Sequence, residues 1–263
     1  MSDAVPHQPG HQGARITAVT SGKGGVGKTF VAANLAAALA RAGQRVLVLD
    51  ADLGLANLDV VLNLAARITL HDVLTKGVAL DEALQPAPGG FTVLLAGSGL
   101  VEYSRLTPEV RDRLIEVIAQ VRPRFDQVLI DTGAGISDVV LFTISLADQV
   151  LMVATPEPTS LTDAYATLKV LAATQAARPM RLLVNQAQRK GEGRTVRSQL
   201  QQVLDRFVNP TLDAPMKLQL VGEVPLDPAV RDAVLRRQLL MEVAPGSPAA
   251  MALAAAATRL LPP

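Results

Sequence analysis

Cysteine is absent from all 263 residues, and so is tryptophan. The first absence removes disulfides, thiolate nucleophiles and cysteine-held clusters, and it accords with a reducing cytoplasm. The second, with only two tyrosines and five phenylalanines, leaves few aromatic faces for stacking unpaired bases, so a single-strand nucleic-acid platform is a poor fit. Charge of one sign is lacking too: the formal net charge is +1, so no global field draws the chain to nucleic acid or anionic lipid. No uninterrupted apolar stretch reaches the ~18 residues of a membrane-spanning helix, and no basic segment followed by an apolar run opens the chain. These absences predict a cytoplasmic protein that is not exported. What is abundant is apolar, with 49% of residues hydrophobic and 19% charged, enough for one substantial α/β core.

The opening residues, Met1 to Gly13, are polar and broken by proline and glycine, and they read as a flexible tail ahead of one domain over residues 14–263. His7 and His11 lie in that tail, where without an ordered scaffold they read as solvated rather than as metal ligands. Beyond it, short apolar runs alternate with helical patterns. Strands are expected at Ile16–Val19, Val46–Leu49, Thr92–Ala96, Gln127–Ile130, Gln149–Ala154, Arg181–Val184 and Leu218–Val221. Helices are expected at Val31–Ala42, Pro108–Val121, Ser137–Leu146, Ser160–Ala173, Thr195–Phe207 and Pro228–Arg237, with Pro86 to Gly90 a loop. Near-continuous apolar strands are the kind covered on both faces, so the alternation predicts an α/β fold with a doubly wound, mostly parallel sheet flanked by helices. Ligands of such sheets sit at the carboxyl ends of the strands.

One such end carries a specific signal. Gly22, Lys23, Gly24, Gly25, Val26, Gly27, Lys28 and Thr29 satisfy the G-x-x-x-x-G-K-[ST] phosphate-loop pattern, between an expected strand and an expected helix. Without Cβ atoms the loop can turn backbone N–H groups around phosphate oxygens, while Lys28 meets the β and γ oxygens and the Thr29 hydroxyl suits Mg²⁺. The helix that follows aims its positive end at the same anion. Lys23 is one lysine more than the pattern requires.

Two other strand ends add carboxylates. Asp50 and Asp52 are two apart in an extended segment, so both can face a phosphate crevice, to hold a Mg²⁺-bound water or orient the attacking one; the plainer alternative is a solvated aspartate and a helix cap. Asp131 ends an apolar run and precedes Thr132, Gly133, Ala134 and Gly135, which fits a Walker B position followed by a γ-phosphate switch. Asn185 follows another strand and offers donor and acceptor to a purine edge. Gln186, Ala187 and Gln188 after it do not make the N-K-x-D arrangement that reads guanine, which favours adenine. Val224 to Asp227 supplies either the other side of that pocket or a plain loop.

The two lysines in S-G-K-G-G-V-G-K-T resemble the deviant Walker A motif of the MinD/ParA group of P-loop ATPases, whose members dimerise around two sandwiched ATP molecules. Asp50 to Asp59, Ile130 to Gly135, Ala154 to Ser160 and Thr69 to Leu74 are similar to segments of the flagellar-number regulators FlhG and FleN within that group. The resemblance spans about Arg15 to Leu261 and implies a SIMIBI-type fold, ATP and Mg²⁺ as ligands, slow ATP hydrolysis and an ATP-dependent homodimer. It implies that Lys23 reaches the partner subunit's nucleotide, that Lys28 holds its own, and that Thr29, Asp50 and Asp131 serve the metal. It further implies that Asp52 orients the hydrolytic water, that Asn57 reports on the nucleotide, and that Asn185, Pro225 and Asp227 surround the adenine.

The implied partners are flagellar regulators or an FlhF-type GTPase, with recruitment to the cell pole or membrane surface through them. Met1 to Gly13 contains no D-Q-A-x-x-L-R segment, through which flagellar members stimulate that GTPase. Ser247 to Pro263 holds one arginine and no lysine, so it reads as a packed terminal helix rather than a membrane anchor. Two other functions stay open on the sequence. A DNA-partitioning ATPase would use the basic run from Arg189 to Arg197 on phosphates, although a solvated loop is the plainer explanation of that run. A MinD-like division-site regulator lacks its basic tail.

Overall fold

The structure is a computed structural model that describes residues 13–52, 57–97, 107–175 and 178–261. The expected tail lies outside the described residues except for Gly13. Along the chain run β1 (Arg15–Thr20), α1 (Lys28–Arg41), β2 (Val46–Ala51), α2 (Leu58–Leu62), α3 (Leu70–Lys76), α4 (Leu80–Ala83), β3 (Gln85–Pro86) and β4 (Thr92–Leu94). There follow α5 (Pro108–Val121), β5 (Gln127–Thr132), α6 (Asp138–Ser145), β6 (Gln149–Ala154), α7 (Pro158–Gln175), β7 (Met180–Ala187), α8 (Glu192–Phe207), β8 (Leu218–Pro225), α9 (Pro228–Leu235), α10 (Leu240–Val243) and α11 (Pro248–Leu260).

The strands form one sheet in the order β3-β4-β2-β5-β1-β6-β7-β8, parallel throughout except where β3 meets β4. The expected α/β, doubly wound sheet is therefore present. Successive residues of a strand face opposite sides. Ile16 and Ala18 of β1 accordingly enter one buried cluster while Val19 enters the other. The first cluster lies under α3 and α5 to α8, the second under α1, α10 and α11. Two cores explain why β2, β5 and β6 are buried at every position.

Local chemistry sets the ends. Thr107 accepts from the Val110 N–H ahead of Pro108 at the start of α5, and Ser137 does the same for Val140 at α6. Gly43 turns out of α1 at φ 82, which glycine adopts at little cost. The expected terminal helix is α11, whose Ala249, Ala250, Leu253, Ala256, Ala257 and Leu260 are buried. Three differences have plain causes. The α1 helix starts at Lys28, inside the phosphate loop, because the loop itself curls into the first turn. The short α2, α3, α4 and α10 span four to seven residues, too few to repeat a 3.6-residue period. Pro86, placed in a loop by its sequence, instead pairs with Thr92 on the sheet edge, the one place where a missing N–H is harmless.

β1 is central, between β5 and β6, and the chain winds outward from it in both directions. The carboxyl ends of these strands are the topological switch point where such folds bind ligands. No helix among the described residues is long and apolar enough to cross a membrane.

Candidate nucleotide-binding site

The loop from Gly22 to Thr29 leaves β1 at that switch point and curls into α1. Gly25 and Gly27 hold φ 82 and 87, conformations an L side chain seldom takes. A Cβ added to Gly24 or Gly25 would meet nothing within 4 Å, so protein packing does not demand glycine there. Both are exposed and line a cavity of about 1270 Å³. The N-cap of α1, Gly27, provides no side-chain hydrogen bond, so the first amides of the helix have no capping acceptor. A bare cradle followed by an uncapped helix start is the arrangement that suits phosphate oxygens. Gly22 differs from its neighbours. A Cβ there would lie 2.2 Å from the Asp163 carbonyl carbon and 2.4 Å from the Ala164 nitrogen, so this glycine lets the loop pack on the main chain of α7.

Behind the cradle sit the charges. Lys28 is buried, and its Nζ donates to Asp131 Oδ1 at 3.4 Å, while the Thr29 hydroxyl also hydrogen-bonds the Asp131 carboxylate. Burial raises the Asp131 pKa, and Lys28 and Thr29 pull it back. Asp50 lies opposite Asp131 in the β2–β5 register. Burial, and then the Asp131 charge, push its carboxyl up to about 8. Asp50 Oδ1 accepts the Asp52 N–H at 3.1 Å, and its Oδ2 is buried without a hydrogen-bond partner. A hydroxyl, two facing carboxyls and an orphaned oxygen fit a hydrated divalent cation, which would neutralise the pair.

The two neighbouring aspartates differ in depth. Asp52 lines the cavity beside Gly133, whereas Asp50 is buried under it. Strand geometry ends at Ala51, and the next amide, that of Asp52, donates to the Asp50 carboxylate. Asn57, N-terminal to α2, also lines the cavity, as do Gly133, Asn185, Pro225 and Asp227. Asn185 is buried, and its Nδ2 donates to the Val26 carbonyl at 2.8 Å, tying β7 to the phosphate loop. Asp227 caps α9 through Ala229 N at 2.9 Å and holds Ala249 N, at the start of α11, at 3.1 Å. All the residues expected at the site thus converge on one switch point, with Asp50 and Asp131 behind the cavity wall.

Lys23 stands apart from the floor. Its Nζ, at the cavity rim, donates to Glu157 Oε2 at 3.0 Å, just before α7, and to Thr159 Oγ1 at 2.8 Å, in the first turn of α7. Glu157 and Thr159 had no role of their own among the expected site residues; two oxygen side chains shortly after β6, a strand adjacent to β1, were the available signal. Leu226, in the segment read as one side of the base pocket or a plain loop, makes an exposed apolar wall together with Val234 and Leu235, to which no role was given.

The sheet order, phosphate loop and buried acid pair define a P-loop nucleotide-binding protein of the doubly wound class. The CobQ/CobB/MinD/ParA nucleotide-binding domain model matches residues 17–240, and the chain belongs to this family as a MinD/ParA-type ATPase with ATP and Mg²⁺ as its ligands. It is 42% identical to the antiactivator FleN of Pseudomonas aeruginosa over 94% of this chain and 86% of that one. It is 31% identical to the flagellum site-determining protein YlxH of Helicobacter pylori over 88% and 76% of the respective chains. Among solved structures, the septum site-determining protein MinD of Pyrococcus horikoshii, complexed with Mg-ADP, superposes with a TM-score of 0.75 at 28% identity over 94% of this chain and 96% of that one.

Proposed function

We propose that this chain, folded as one unit over residues 14–263, is an ATP-hydrolysing switch that pairs with a second copy when ATP is bound and regulates flagellar number or placement through protein partners. The observation that carries the reading is the division between the two loop lysines, Lys28 buried at the floor and Lys23 held at the rim by Glu157. The Glu157 side chain is 61% exposed, and pairs of that kind contribute only about 0–1 kcal/mol. Several phosphate charges from a facing subunit would outweigh it, so Lys23 is held but cheaply released. The cavity, about 1270 Å³, also exceeds the roughly 300–1,000 Å³ of a usual small-molecule site. Its wall exposes Leu226 by 65% and Leu235 by 72%, apolar surface that a second subunit would cover.

In this reading Lys28 holds the β- and γ-phosphates, and Thr29, Asp50 and Asp131 hold the metal directly or through water. Mg²⁺, when bound, neutralises charge on the phosphate oxygens. Asp52 orients the attacking water against Gly133. Asn57 senses the nucleotide, and Asn185, Pro225 and Asp227 flank the adenine. Turnover is slow because the output is a conformation.

The likeness to FleN and YlxH supports flagellar regulators, or an FlhF-type GTPase, as partners. The test is to count flagella in cells lacking the chain. Wild type should restore the normal number and Lys28→Ala should not. An unchanged count on deletion contradicts the flagellar assignment.

A further inference from the structure

Beyond the phosphate loop the cavity is walled by Asn185, Gln186, Pro225, Leu226, Asp227 and Val230. Of the four polar side chains on this side of the cavity, Arg231 included, Asn185 and Asp227 already serve the fold, and Arg231 offers donors only. The Asn185 amide nitrogen is committed to the Val26 carbonyl, and both Asp227 oxygens receive helix amides, from Ala229 and Ala249. Gln186 is exposed in the same wall.

Its backbone is unusual. Gln186 holds φ 58, and only two other non-glycine residues among those described, Asn63 and Arg237, have positive φ. The left-handed conformation costs a residue with a Cβ and costs glycine nothing, so it persists only where its surroundings enforce it. They do so here. The β7–β8 register shifts between Val184 and Ala187, which makes Asn185 and Gln186 a bulge. On one side Asn185 is pinned to the phosphate loop; on the other Ala187 returns to pair with Pro225 and accepts the Leu226 N–H at 2.8 Å. A buried residue is thereby followed by one whose side chain is turned out into the cavity mouth.

We propose that Gln186 is the side chain that hydrogen-bonds the base edge of the bound nucleotide. Its carboxamide sets an acceptor beside a donor, the pair that matches the exocyclic amino group and adjacent ring nitrogen of adenine. The inference rests on the reading above that the triphosphate lies on Gly22–Thr29. It assigns base contact to the bulge, and it leaves Asn185 and Asp227 holding the wall together.

The experiment is calorimetric titration of wild type, Gln186→Ala and Gln186→Gly with ATP and, separately, with inorganic tripolyphosphate, both in Mg²⁺. Loss of one or two hydrogen bonds should weaken ATP about tenfold in both variants. Tripolyphosphate affinity should not change. Gln186→Gly should melt at least as high as wild type, since glycine relieves the positive φ, so its weaker ATP binding would not stem from misfolding. Unchanged ATP affinity in both variants overturns the proposal, and so does a parallel loss of tripolyphosphate. Failure of the underlying reading looks different: wild type itself would bind neither ligand, or Lys28→Ala would bind both normally.

Discussion

Gly22 and Gly24 are two residues apart in one glycine-rich loop, yet they should fail in opposite ways when replaced by alanine. At Gly22 the added Cβ would sit 2.2–2.4 Å from three main-chain atoms of Asp163 and Ala164. A carbon contact needs about 3.4 Å or more, so the loop and α7 must separate by roughly an ångström, and helix backbone cannot rotate away as a side chain can. Overpacking of this kind costs about 1–3 kcal/mol, and with backbone on both sides the upper end, about 3 kcal/mol, applies. At roughly 2–4 °C per kcal/mol for a domain approaching this size, Gly22→Ala should lower Tm by about 6–12 °C. At Gly24 the Cβ meets nothing within 4 Å, so Gly24→Ala should melt within about 2 °C of wild type and instead lose affinity for ATP, because the methyl occupies the cradle. Differential scanning calorimetry of the apo proteins, followed by nucleotide titration, separates the two. Wild-type stability in Gly22→Ala, or a large Tm loss in Gly24→Ala, would refute this division of the loop.

Two further outcomes are expected. Asp52→Ala should bind ATP, accumulate as the dimer and turn over at least ~100-fold more slowly, as a lost water-orienting base predicts; normal phosphate release would remove Asp52 from the chemistry. At α3, Thr69 and Asp72 form a reciprocal capping box, and the hydrogen bond from Lys76 and then that from Thr69 lower the Asp72 pKa to about 2. A depressed carboxylate pKa means stability that is complete above about pH 4 and is lost as pH falls toward 2. Thr69→Ala should therefore cost about 1 kcal/mol in urea melts at pH 7 and less at pH 3, and an equal cost at both would contradict the assignment.

The central sheet was legible because its strands are continuous apolar runs and its longer helices repeat their pattern over several turns. Gln149–Ala154 and Pro108–Val121 are found with the boundaries their sequences predict. That the loop, Asp52, Asp131 and Asn185 would meet at one end of the sheet was legible as well, because each follows or ends an apolar run read as a parallel strand. What escaped depends on contacts distant in sequence. Nothing near Asp227 announces that its carboxylate also holds the start of α11, and nothing near Gly22 announces the backbone of α7. Gln186 was read only as evidence against guanine, since a bulge is a property of two strands in register. That Asp50 would be buried opposite Asp131 while Asp52 lines the cavity depends on the β2–β5 register, which no local pattern carries.

Lys23 is expected to leave Glu157 and complete a nucleotide site on a second copy of the chain. Sedimentation velocity of wild type and Lys23→Ala, each with ADP or ATP and Mg²⁺, tests it most directly. Wild type should be monomeric with ADP and dimeric with ATP, and Lys23→Ala should bind ATP yet remain monomeric. A Lys23→Ala protein that dimerises with ATP as wild type does would rule out a shared site built on Lys23.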